Sequence, residues 1–272
     1  MSQGNLRLLR SSDLSGAMEL SRAAGWNQTI EDWEMLLRLD PQSCFAVELD
    51  DRIVATTTLL CYGQELAWIG MVLTRQEYQR MGFARRLMQT ALHRAAELKI
   101  ECIKLDATSQ GQPLYEKLGF QTEQIIERWF CEQPQLKKQA SPALSHIPPS
   151  PQIDRAAFGA DRTHVFAELE TRNISATTAQ AYCFSRSGTR FRYLGPCVAA
   201  EPQAARVVIE QTLQASASSG WFWDLLSSNK MAVELAGELG FTPQRRLERM
   251  SLGKRFDKND QMVYAIAGFE LG

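Results

Sequence analysis

Residues 66–73, Leu-Ala-Trp-Ile-Gly-Met-Val-Leu, form an apolar run that enters a short polar turn, and the turn opens directly into an amphipathic segment. This strand–turn–helix junction restricts the fold more than any other stretch. Within the turn, Gln79-x-x-Gly82-x-Ala84 puts small residues where the backbone must come close to a neighbour. The first amides of a helix have no intrahelical partner, and the helix dipole adds partial positive charge there. Such a junction is a site for a pyrophosphate. The periodicity beyond it predicts a helix with Ala84, Leu87, Met88, Ala91, Leu92, Ala95 and Leu98 on one face. Arg85, Arg86, Gln89, His93, Arg94 and Glu97 fall on the other.

A second β-type run, Cys102-Ile-Lys-Leu-Asp-Ala107, leads into Thr108-Ser-Gln-Gly-Gln-Pro-Leu-Tyr115-Glu-Lys-Leu-Gly119-Phe120. With both segments on the page, the chain resembles the GNAT superfamily of acyl-CoA-dependent N-acyltransferases over residues 5–130. Gln79-x-x-Gly82-x-Ala84 is similar to its cofactor-binding motif, and Leu114-Tyr115-Glu-Lys-Leu-Gly-Phe120 to its second signature, in the same order and separation.

The resemblance implies acetyl-CoA as co-substrate. The amides of Gln79, Arg80, Met81, Gly82, Phe83, Ala84 and Arg85 would cradle its pyrophosphate. The strand from Met71 through Val72 to Thr74 would pair with the pantetheine arm, with Met71 or Val72 facing the thioester oxygen as an oxyanion donor. On the residues alone, Tyr115 reads as a core ring. The signature makes it the general acid, a phenol with a reference pKa of about 10 that protonates the departing thiolate. Family members often carry Asn seven positions before this tyrosine; here Thr108 stands there and would touch the cofactor or orient a water. Four carboxylates are open as the base: Glu31, Asp32, Glu65 and Asp106. Trp26 and Trp33 lie toward the acceptor side of such a domain, where they would line the acceptor site or simply pack.

At 272 residues the chain suits two domains of moderate size. Its 30 Lys and Arg nearly balance 31 Asp and Glu, which argues against a nucleic-acid-binding surface as the main business. No apolar run approaches the length of a membrane span and no signal-peptide pattern opens the chain, so the expected compartment is the cytoplasm. The six cysteines are scattered, several in strand-like runs, and read as reduced thiols. Three histidines, His93, His146 and His164, and no Cys-x-x-Cys give a metal site no support; His93 falls on the polar face of its helix, the others in or near loops.

Residues 133–152 change character. Five of the ten prolines (Pro134, Pro142, Pro148, Pro149 and Pro151) lie in or beside them among Ser, Gln and Lys, a linker composition. The expected division is residues 1–132 as the acetyl-CoA-binding domain, 133–152 as linker and 153–272 as a second domain. Beyond the linker the pattern partly repeats. Paired strands over 181–199, a helix over 202–215 and a strand over 221–226 precede Asn229-Lys-Met-Ala-Val-Glu-Leu-Ala236-Gly-Glu-Leu-Gly240-Phe241, which echoes the Tyr115 segment. Where the first half has its glycine turn, the second has Val198-Ala-Ala-Glu201-Pro202, whose carboxylate would repel pyrophosphate; where the first has Tyr115, the second has Ala236. The expected fold class is therefore α/β (α+β): a GNAT-like mixed sheet flanked by helices, then a smaller, divergent GNAT-like domain acting as lid or wall. The expected reaction is acetyl transfer to a small-molecule primary amine, with a protein or peptide acceptor and a non-catalytic acyl-CoA sensor as alternatives.

Overall fold

The computed structural model describes residues 4–136, 148–170, 174–215 and 218–272, so Pro142 and His146 lie outside the described residues. The first half runs β1 (Asn5–Leu8), α1 (Leu14–Ala23), α2 (Ile30–Leu39), β2 (Cys44–Leu49), β3 (Arg52–Tyr62), β4 (Leu66–Thr74), α3 (Phe83–Glu97), β5 (Cys102–Ala107), α4 (Gln112–Lys117) and β6 (Gln121–Cys131). The second half runs α5 (Pro151–Phe158), α6 (Thr163–Glu170), β7 (Ile174–Thr177), β8 (Ala181–Arg186), β9 (Arg192–Ala199), α7 (Pro202–Gln214), β10 (Trp221–Leu226), α8 (Lys230–Glu238), β11 (Thr242–Gly253) and β12 (Val263–Ala265). The β2–β3 hairpin turns on Asp50 and Asp51, both at positive φ (+49° and +58°), as a two-residue turn between right-twisted strands requires.

All strands join one mixed sheet in the order β1-β2-β3-β4-β5-β11-β6-β10-β9-β8-β7, with β12 paired to β9. The halves interleave at its centre. β11 of the second half inserts between β5 and β6, and β6 of the first half inserts between β11 and β10, all antiparallel. Two buried, doubly hydrogen-bonded ion pairs lie across this exchange. Arg249 on β11 grips Asp106 on β5 (2.9 and 3.0 Å), and Arg128 on β6 grips Asp224 on β10 (2.8 and 2.7 Å). Each guanidinium supplies the opposite half's carboxylate with its counter-charge, so neither strand can leave without stranding a buried ion.

One face of the first half is covered by α1, α2, α5 and α6, where Trp33, Leu36 and Ala17 meet Trp68, Phe158 and Leu169; α3 and α4 cover the other. Trp33 is wholly buried and donates to Ser21 (3.1 Å), so it is a core residue; Trp26 is partly buried at its edge. Trp221 and Trp223 pack in the second half's core with residues of α7 and α8. His93 is exposed on α3, whereas His164 belongs to α6, its ring against Tyr62 (5.6 Å). The six cysteines are free, and among the described residues no cluster of His, Cys, Asp and Glu could hold a metal. No described helix is long and apolar enough to cross a membrane.

Candidate active site

The site begins with a fault in β4. Thr56 pairs with Leu73 and Thr58 with Gly70, so Met71 and Val72 together oppose Thr57 in a β-bulge. Met71 takes a left-handed φ of +52° although it is not glycine. Two hydroxyls of β3 hold it: Thr56 donates to the Met71 carbonyl (2.9 Å) and Thr57 to the Gly70 carbonyl (3.4 Å). Alternation breaks here, since Leu66 and Trp68 and then Met71 and Leu73 pack on the α1–α2 face, while Ala67, Ile69 and Val72 pack under α3. As a result β4 keeps parallel register with β5 only from Leu66 to Trp68, and the strands part beyond. The opening is an unpaired strand edge into which an extended ligand arm can insert.

At the mouth of the opening lies the turn. Arg80 (φ +62°) and Gly82 (φ +88°) are both left-handed, and this folds residues 79–82 back so that α3 starts at Phe83. A Cβ on Gly82 would meet nothing within 4 Å, so the glycine supplies backbone conformation and not clearance. No side chain caps α3, and Gln79, Arg80, Met81, Gly82 and Arg85 are exposed; the first amides of the helix therefore face solvent. Buried Phe83, against Tyr78 (6.4 Å), anchors the turn to the sheet, with Ala84 half-buried behind it.

The second motif meets the first through Gln110, whose amide donates to Gln79 (3.1 Å). The Thr108 hydroxyl accepts from the Gly111 amide (3.2 Å), so this side chain shapes the turn into α4. Tyr115 is buried in the same apolar cluster as Phe83, Ile69 and Ala107, with Phe120 edge-on (6.2 Å). Its hydroxyl has no hydrogen-bond partner among the described residues, and a Cβ on Gly111 would stand 3.2 Å from it. Burial pushes the phenol well above its ordinary range, so it is protonated at neutral pH.

On the α1–α2 side of the bulge is a small cavity, with room for about one water-sized group, that the sequence does not foretell. It is lined from the first half by Asn27, Gln28, Asp32 and Arg128, and from the second by Arg186, Tyr193, Gly268 and Glu270. Of the four carboxylates considered as base, only Asp32 is here. Glu31 and Glu65 are exposed, and Asp106 is taken up by Arg249. Asp32 closes the first turn of α2 by accepting from the Thr29 amide (2.9 Å), and Arg186 stands 3.4 Å from its other oxygen. Burial pushes its carboxyl up to about 6, with the Glu270 charge adding and Arg186 opposing.

The second half has a matching opening, since β9 and β10 keep parallel register only from Arg192 to Leu194 and Trp221 to Trp223. That opening is occupied. β12 pairs with β9, Trp223 donates to the Tyr264 carbonyl (2.7 Å), and the Ile266 amide donates to the Asp224 carbonyl (3.2 Å). Its helix α7 starts at Pro202 behind exposed Glu201. Asn229, where the first half has Thr108, is wholly buried and caps α8 at Ala232 (3.1 Å) while donating to the Gln261 and Val263 carbonyls (3.0 Å each).

An opened β4 running into an uncapped helix, beside a protonated tyrosine, defines an acyltransferase of the GNAT type. The models of two such domains match the chain: the Acetyltransferase (GNAT) family over residues 11–120 and the Acetyltransferase (GNAT) domain over residues 151–265. The chain belongs to this family as a two-domain acetyltransferase, and the family uses acetyl-CoA. It is 27% identical over 282 aligned residues to the uncharacterised N-acetyltransferase YitH of Bacillus subtilis, covering 97% of each. Its fold is similar to a candidate acetyltransferase from Pyrococcus horikoshii (TM-score 0.89, 23% identity, 100% and 97% of the two chains). It is also similar to a GCN5-related N-acetyltransferase from Sphaerobacter thermophilus (TM-score 0.67, 12% identity, 96% and 99%).

Proposed function

We propose that this enzyme moves an acetyl group from acetyl-CoA to the primary amine of a small molecule, by direct attack in a ternary complex. The observation that carries the reading is the open edge of β4 at Met71, with the uncapped start of α3 at one end and the partnerless Tyr115 hydroxyl in the cluster beneath. The amides of residues 79–85 hold the pyrophosphate, and the strand from Met71 to Thr74 holds the pantetheine arm, with Thr108 at its flank. The amine nitrogen attacks the thioester carbon, and the amide of Met71 or Val72 donates to the oxygen as it gains charge. The C–S bond breaks as the N–C bond forms. Tyr115 gives its proton to the departing sulfur, and the nitrogen's proton passes to Asp32, directly or through a water.

Residues 1–132 supply the coenzyme site, 133–152 the connection and 153–272 the wall of the acceptor site; the filled opening between β9 and β10 supports a single coenzyme site per chain. The chemistry takes place in the cytoplasm, consistent with free cysteines.

The test is CoA release by the purified chain across a panel of small amines, amino acids and peptides. Saturable release with small amines is expected. Release with peptides alone would move the acceptor to a polypeptide, and saturable acetyl-CoA binding without turnover on any acceptor would make the protein a sensor.

A further inference from the structure

The cavity beside the bulge carries a charge imbalance and an unfilled acceptor. Arg128 is held by Asp224 through two bonds, and its charge is cancelled there. Arg186 donates to Glu270 (2.7 Å) and to the Ala267 carbonyl (2.5 Å), and stands 3.4 Å from Asp32. One guanidinium thus serves two carboxylates, Asp32 and Glu270, which are 7% and 1% exposed. No cation of this lining is left to meet an anionic ligand, and one negative charge is in excess.

Gln28 supplies the second observation. Its amide nitrogen donates to Glu270 (2.8 Å), which fixes the way the group points. That leaves the Gln28 carbonyl oxygen without a donor, in a residue only 6% exposed that lines the cavity. Buried acceptors in folded proteins nearly always have a donor, and this one belongs to a side chain of the same lining as Asp32 and Glu270. Tyr193 cannot fill it, because its hydroxyl donates to the Ile266 carbonyl (2.9 Å).

We propose that Glu270, Asp32 and the Gln28 carbonyl oxygen form a recognition site for an alkylammonium group, so that the acceptor is a small cationic amine lacking a carboxylate. This rests on the acetyl-transfer reading above and adds the acceptor's chemical class and a specificity-determining residue from the C-terminal tail. Three acceptors around one space match the three N–H donors of a primary ammonium. The cavity has room for about one water-sized group, which suits an ammonium head. An amino acid would bring its carboxylate against Asp32 and Glu270 with no unengaged cation to receive it.

The experiment pairs amines with their carboxylated counterparts: 1,4-diaminobutane with ornithine, and 2-phenylethylamine with phenylalanine. Binding to the full chain is measured by calorimetry with CoA present, and turnover by CoA release. The amines are expected to bind at least about tenfold tighter than their partners, and Glu270→Gln and Gln28→Leu each to weaken amine binding roughly 10- to 100-fold, the loss of one charged hydrogen bond. CoA affinity, measured on the same variants, should change little; the melting temperature should hold in Gln28→Leu, which removes no charge, and fall in Glu270→Gln, where buried Arg186 loses a charged partner. Tighter binding of the amino acids, or amine binding unchanged in both variants, overturns the proposal. Amine binding that depends on Glu270 without any acetyl transfer upholds this site while removing the catalytic reading, and failure of CoA to bind strikes only the latter.

Discussion

The Cα of Glu270 occupies the place that a side chain on Gly70 would need: a Cβ built on Gly70 would stand 2.8 Å from it. The last residues of the chain thus lie directly on the bulged strand. Phe269 accepts from the Trp68 indole (3.0 Å) and Leu271 from the Tyr62 hydroxyl (2.5 Å). The tail that fills the second half's opening goes on to wall the cavity beside the bulge.

Gly70→Val should therefore act on the acceptor and not on the coenzyme. The neighbouring atoms are backbone, which cannot swing aside, so overpacking of roughly 1–3 kcal/mol is expected. Steady-state kinetics should show a raised amine KM, with acetyl-CoA affinity close to wild type. An unchanged amine KM would separate the tail from acceptor binding.

Asp224→Ala should destabilise the whole molecule. It leaves Arg128 buried without its partner at the centre of the strand exchange, a loss of about 3–5 kcal/mol. Because β6 and β11 are shared, chemical denaturation followed by tryptophan fluorescence should show one shifted transition and not the melting of the second half alone.

The local part of this architecture was legible in the sequence, and the non-local part was not. The turn at residues 79–84 announces itself because it is made of backbone conformation and a helix start, both written in adjacent residues. The bulge escapes notice, since nothing about Met71 predicts a positive φ; the hydroxyls of Thr56 and Thr57 impose it from the neighbouring strand. Likewise the strands that β6 and β11 pair with lie about ninety residues or more away in sequence, as for Arg249 and Asp106 at a separation of 143. Glu270 lies 242 residues from Gln28, and no local pattern marks it as part of a site. Asp32 stood among four open carboxylates until its place in the cavity lining distinguished it.

The pH dependence follows from Asp32. Its carboxyl, ordinarily near 3.8, is raised to about 6, so in the fold it keeps a proton over the window between. The folded state then binds more protons than the unfolded, and stability from this group falls as pH rises through that window. The base form appears over the same range, so kcat/KM for the amine should climb with a midpoint near 6. Asp32→Asn should lower kcat/KM and abolish that limb, while unfolding titrations should lose the corresponding slope. A limb unchanged in the variant assigns the proton elsewhere.

Tyr115→Phe should lower kcat by roughly 10–10³. The ring's edge-on contact with Phe120 survives the change, and the hydroxyl gives up no hydrogen bond in the free protein, so melting temperature and acetyl-CoA affinity should hold. Wild-type turnover in this variant would take the phenol out of the reaction.

The central claim is that the backbone before Ala84 grips a diphosphate, so that the coenzyme's sulfur reaches the bulge near Tyr115. Crystals grown with CoA test it most directly. The account predicts diphosphate oxygens within hydrogen-bonding distance of the amides of residues 79–85, and the pantetheine arm lying along the open edge of β4. Coenzyme bound at the Glu201–Pro202 turn of the second half, or no coenzyme at saturating concentration, would contradict it.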